Sequence, residues 1–148
     1  NFYVWSLRIE SFLNWDNVTD AFLVGAGSLG TAILGYPGFN NYGINIIAAF
    51  DSNPEKAGGT IRNIPIFHID KLPDLSNRMH VHIGIITVPA ASANEVAAKM
   101  IDGGIKAIWN FAPVQLRVPK EIIVENVLLH ASLSVLTRKL GQQIKDQK

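Results

Sequence analysis

The chain contains no cysteine, so disulfides, thiolate metal sites and cysteine nucleophiles are excluded from its chemistry. That absence fits a reducing compartment, and a cytoplasmic location is expected. Long hydrophobic runs are also missing. No stretch approaches the roughly 20 apolar residues that span a bilayer, so no membrane partner is expected. The opening Asn1-Phe2-Tyr3-Val4-Trp5 lacks the basic-then-apolar order of a secretory signal. It also lacks a methionine, and the sequence reads as a fragment of a longer chain. Charge of one sign is scarce too: 13 basic residues stand against 12 acidic ones, for a net charge of +1. Nucleic-acid binding by this segment alone would need clustered Lys and Arg, and no such cluster occurs. Internal repeats and low-complexity linkers are absent.

What remains is an ordinary globular composition. The 148 residues are 48% hydrophobic and 17% charged, enough for one domain around one sizeable core. Phe2 to Leu13 place Val4, Leu7, Ser11 and Phe12 at near-helical spacing, which predicts an amphipathic helix leading into the domain. Beyond Asp20, short apolar runs alternate with helical patterns. Strands are predicted over 21–24, 44–50, 64–69, 81–88, 105–111 and 122–127. Helices are predicted over 29–36, 90–101 and about 131–144. Continuous apolar strands separated by helices indicate a mostly parallel, doubly wound, Rossmann-like α/β sheet covered on both faces. The strands end in Gly, Asp, Pro or Asn, which lines small and polar groups along the carboxyl edge, where open α/β sheets bind ligands.

The strongest motif is Gly25-Ala26-Gly27-Ser28-Leu29-Gly30, a G-x-G-x-x-G between a strand and a helix. Its first glycine serves the tight turn, its second lets a pyrophosphate approach the backbone, and its third brings the helix close to the sheet. The N–H groups at the helix start favour phosphate. A Gly-rich turn without a ligand has the same pattern, so context decides. Asp51 closes the next strand about 20 residues beyond Gly30, the interval expected for the acid that binds the adenosine ribose diol. A carboxylate there repels a 2′-phosphate, so NAD(H) is favoured over NADP(H). The other role open to Asp51 is to cap the turn Ser52-Asn53-Pro54.

Further along the same edge, Thr87, Val88 and Pro89 are candidate nicotinamide-side contacts, although Pro89 could simply start a helix. Asn110 and Phe111 could line the nicotinamide pocket, with Trp109 in the core. An enzyme would place an acid–base residue at this edge, and no such set converges by pattern. His80 and His82 share one face of the predicted 81–88 strand near its amino end. Two ligands without a third make a poor metal site. No catalytic and no metal residue is assigned. The site is built to bind rather than to react.

These residues resemble the family of redox-sensing transcriptional repressors called Rex, in its carboxyl-terminal NAD(H)-binding, CoA-binding-like domain. The likeness runs from Tyr3 almost to Leu140. It includes Val24 to Gly30, Tyr36-Pro37-Gly38-Phe39, Phe50-Asp51-Ser52-Asn53-Pro54-Glu55-Lys56 and Gly84 to Ala90. It continues through Gly104 to Pro113 and Val118-Pro119. The Ile-Trp-Asn-Phe-Ala-Pro run is far more specific than the glycine turn. The resemblance adds Lys56 to the cofactor-binding set and Tyr36 as a switch candidate.

It implies a homodimer in which a winged-helix domain, missing here, reads operator DNA and this domain binds NAD(H). NADH would favour a closed dimer that releases DNA. The division implied is 1–15 as a linking helix, 16–128 as the Rossmann domain, and 129–148 as a carboxyl-terminal dimerisation helix and tail. That helix is exchanged between subunits in the family, and its stripe here is Leu133, Leu136 and Leu140; such a stripe could equally pack on its own domain. One departure is chemical. The family carries an Asp after the sixth strand where this sequence has Leu128, and leucine accepts no hydrogen bond. The alternative reading is the nucleotide-binding domain of an NAD-dependent oxidoreductase, or of a CoA-ligase-like protein.

Overall fold

The computed structural model describes residues 19–127 and 129–147. The predicted helix over Phe2 to Leu13 and the departure at Leu128 lie outside the described residues. Among the described residues seven strands form one sheet in the order β3-β4-β2-β1-β5-β6-β7. Along the chain these are β1 (Thr19–Val24), β2 (Ile44–Asp51), β3 (Thr60–Ile61), β4 (Ile64–His68), β5 (Ile83–Ile86), β6 (Ala107–Asn110) and β7 (Ile123–Asn126). The helices are α1 (Ser28–Leu34), α2 (Leu72–Arg78), α3 (Ala90–Asp102) and α4 (Leu129–Asp146). Every strand pair is parallel except β3 with β4.

Strand order makes the site. From β1 the chain steps outward to β2 and β4, then returns through α2 to β5 on the other side of β1. The reversal leaves a switch point between the carboxyl ends of β1 and β5, where an α/β sheet opens a crevice.

Alternation along β1 feeds two cores. Phe22 and Val24 face one side with Phe50, Leu72, Val96, Met100 and Ile105, under α2 and α3. Ala21 and Leu23 face the other with Ile33, Leu34, Ile46 and Ile85, under α1. The Phe22 and Phe50 rings lie 4.8 Å apart and are fully buried; each such side chain contributes about 1.5–3 kcal/mol. Beyond α1, the described residues cover the second face less fully. Tyr36, Phe39, Tyr42, Ile83, Trp109 and Ile123 border an apolar groove of about 560 Å³ there, with Ile123 66% exposed.

Two elements escaped the sequence pattern. β3 is only two residues long, joined to β4 by Arg62-Asn63, both at positive φ (49° and 69°). α2 spans seven residues with proline in its first turn. It ends in a Schellman-type turn in which Val81 N–H donates to the Ser76 carbonyl at 3.0 Å and His80 N–H to that of Asn77 at 3.4 Å. His80 occupies the left-handed position of that turn (φ 55°). β5 therefore starts at Ile83, later than predicted, and His80 and His82 do not share a strand face.

Candidate functional site

At the end of β1 the backbone swings through Gly25 at φ +111°, a conformation that L side chains rarely adopt. A Cβ there would lie 2.7 Å from Thr87 Oγ1. One on Gly30 would lie 1.8 Å from the Gly25 carbonyl oxygen, so α1 can approach the turn only without it. Gly27 differs. A Cβ on Gly27 would meet nothing within 4 Å. The fold requires the first and third glycines but not the second, whose bare face opens on the cleft. Gly27 is also the N-cap of α1 and carries no side-chain cap, leaving the first-turn N–H groups to solvent or ligand.

Asp51, at the end of β2, makes two hydrogen bonds, one of them the turn cap foreseen for it. Its Oδ1 accepts from Asn53 N–H at 2.8 Å, closing the Ser52-Asn53-Pro54 turn. Its Oδ2 accepts from Ala26 N–H at 2.9 Å, across the glycine turn. A carboxylate has about four acceptor positions, so lone pairs remain for a diol. Lys56 reaches over from the β2–β3 connection and donates from Nζ to the Ala26 carbonyl at 2.9 Å. These groups line a cleft of about 250 Å³ with Val24, Thr87, Val88 and Pro89 at its other wall. An open glycine face, a partly satisfied carboxylate and an ammonium suit a diphosphate attached to an unphosphorylated ribose diol.

The family described as CoA binding domain matches residues 16–114. A redox-sensing transcriptional repressor Rex from Bacteroides fragilis is 46% identical over 133 residues, covering 90% of this chain and 60% of the relative. The Rex-family repressor RSP, solved with β-NAD+ and operator DNA, matches with a TM-score of 0.84 and 33% identity. That match covers 99% of this chain and 68% of the other. The chain belongs to the Rex family.

RSP solved with β-NADH also matches, with a TM-score of 0.80 and 34% identity over 100% of this chain and 72% of that one. The relatives bear the names of repressors, not of enzymes. The chain spans about 60% of the length of its Bacteroides Rex relative.

Within this Rex-family chain the expected site residues separate. Gly25, Gly27, Asp51, Lys56, Thr87, Val88 and Pro89 share the cleft. Ala26 contributes its backbone, and its side chain is buried. Ser28 and Leu29 sit exposed in the first turn of α1, while Gly30 is buried against Gly25. Asn110 does not line the cleft. It is fully buried, donating to the carbonyls of Ala112 and Val114 and to Asn126 Oδ1 at 3.0–3.2 Å, and accepting from Ala112 N–H at 3.0 Å. Its amide ties the loop after β6 to β7 and is spent inside the protein. Phe111 packs on Trp109 with ring centroids 4.7 Å apart, on the α1 side of the sheet. Tyr36 is 55% exposed and stands edge-on to Phe39, at the apolar groove rather than the cleft.

Ser92, Glu95, Val96 and Lys99 of α3 also line the cleft, and sequence reasoning missed all but the apolar role of Val96. Their i, i+3, i+4, i+7 spacing marks one helix face, so the signal was present. Lys99 Nζ lies 4.0 Å from Asp70. Among the described residues no group of three His, Asp or Glu could hold a metal ion, and no helix is long and apolar enough to cross a membrane.

Proposed function

We propose that this chain is the NAD(H)-binding, dimerising sensor domain of a redox-responsive transcriptional repressor. The observation that carries the reading is the pairing of an unobstructed Gly27 with an Asp51 carboxylate that faces the same turn. The main chain from Gly25 to Gly30 receives the diphosphate. Asp51 and Lys56 hold the adenosine ribose, while Thr87, Val88 and Pro89 border the path to the nicotinamide half. Asn110 and Phe111 belong to this half through the loop they shape. The bound dinucleotide supplies the signal, since its nicotinamide ring is cationic when oxidised and neutral when reduced. Sensing then requires only that the two forms favour different dimer shapes.

The dimer partner is a second copy of the chain. The apolar groove around Tyr36, Phe39 and Trp109 supports this, as do the exposed Leu133, Leu136, Leu140 and Ile144 of α4. Residues 1–15 serve as a link, 16–128 as the nucleotide domain and 129–148 as the dimerisation helix and tail. Operator DNA is reached through a winged-helix domain outside this chain, in the cytoplasm. With Leu128 replacing the family's Asp, the Tyr36 switch works without that hydrogen bond. CoA fits less well than NAD(H), because its 3′-phosphate would face the Asp51 carboxylate. In a fluorescence titration NADH should bind the wild type, and Asp51→Ala should weaken it about tenfold to a hundredfold, the worth of a charged hydrogen bond. Steady NADH oxidation that Asp51→Ala abolishes would instead mark a dehydrogenase.

A further inference from the structure

Thr87 was expected at the cleft as a ligand contact, but its hydroxyl turns inward. Oγ1 lies 2.8 Å from the carbonyl oxygen of Val24 and 2.8 Å from that of Gly25. The Val24 carbonyl already accepts from Thr87 N–H at 2.9 Å. The Gly25 carbonyl therefore has the greater need of the single hydroxyl proton. That carbonyl belongs to the same peptide unit as Ala26 N–H, which Asp51 Oδ2 accepts at 2.9 Å. The following unit is held as well, because Lys56 Nζ donates to the Ala26 carbonyl at 2.9 Å. Peptide units are planar and trans, so fixing each carbonyl also fixes the N–H opposite it. In the second unit that N–H is Gly27's.

We propose that Thr87 is a positioning residue of the cofactor site, whose hydroxyl completes a three-side-chain clamp on two consecutive peptide units of the glycine turn. The proposal rests on the NAD(H) reading given above. Each of the two units has a glycine on one side, Gly25 or Gly27, which leaves it freer to rotate. Asp51 and Lys56 must serve the turn and the ligand together, whereas Thr87 serves the turn alone. The clamp pre-pays the ordering that binding would otherwise cost. The same carbonyl explains Gly30, since a Cβ at that position would meet the Gly25 oxygen at 1.8 Å and Thr87 Oγ1 at 3.0 Å.

The test compares Thr87→Ala, Thr87→Val and Thr87→Ser with the wild type by NADH titration, together with amide exchange at Ala26 in the cofactor-free protein. Ala and Val are expected to weaken NADH about tenfold and to speed exchange at that amide, with α3 amides unchanged. Ser should restore both. Side-chain volume alone would not produce the Ser rescue. Should Val fail to fold, the Ala–Ser pair decides. Wild-type affinity and exchange in Thr87→Ala would overturn the clamp, as would equal losses in Ala and Ser. If the wild type itself ignores NADH, the cofactor reading fails, and the exchange measurement still judges the clamp.

Discussion

Gly27 and Gly30 occupy one motif three residues apart, yet they answer to different demands. A methyl on Gly30 collides with backbone that cannot move without opening the turn. Gly30→Ala should therefore lower thermal stability by several degrees, as overpacked backbone contacts do. Gly27→Val should leave the melting temperature of the free protein near wild type while removing NADH binding, because its side chain enters only the space reserved for ligand. Thermal melts with and without NADH separate the two. If Gly27→Val unfolds the protein, that glycine serves the fold rather than the ligand. The sequence pattern located this motif but could not say which glycine the fold needs. That depends on Thr87, 62 residues away from Gly25 in the chain. Asp51 was legible by interval alone, and its turn cap through Oδ1 and its bond to Ala26 through Oδ2 leave lone pairs for the ribose role proposed for it. Asn110 was harder to read, for the opposite reason. A polar residue at a strand end looks available to a ligand, and only the folded loop reveals that Ala112, Val114 and Asn126 occupy its amide.

Element types were readable wherever burial imposed a period. β1, β2 and α3 announce themselves through apolar runs or a helical stripe, and the structure finds them within a few residues of the predicted bounds. α2 and β3 hid because their boundary signals are unusual. The turn that follows each of them uses non-glycine residues at positive φ: Arg62 and Asn63 before β4, His80 after α2. Such positions cost an L residue about 1 kcal/mol relative to glycine. His80→Gly should accordingly stabilise the domain by about 1 kcal/mol, seen as a higher denaturant midpoint with an unchanged slope. A lower midpoint would show that the imidazole makes a contact worth more than the strain. The polar face of α3 carries a different lesson. Its apolar side was read for the core, and the opposite wall of the cleft lay in the same periodicity unread.

Across the whole molecule, the two faces of the sheet are unequally finished. α2 and α3 close one core, whereas among the described residues the other is covered by α1 over only part of its width and ends in the groove beside Trp109 and Ile123. α4 in turn exposes Leu136 at 62% and Leu140 at 54%. Isolated exposed leucines are ordinary; a repeated stripe, on a chain that also presents an apolar groove, signals association. Leu136→Glu with Leu140→Glu should convert a dimer to a monomer in sedimentation, with NADH affinity retained. A double variant that stays dimeric would move the interface away from α4. Sequence patterning showed the stripe but left its partner open, because periodicity reports which face is apolar and not what covers it. The account as a whole turns on the chemistry at Asp51, and paired calorimetric titrations of NADH and NADPH into the wild-type chain test it most directly. NADH is predicted to bind at least about tenfold more tightly, a difference of about 1.4 kcal/mol, with Asp51→Ala narrowing the gap. Equal affinities in the wild type would contradict it.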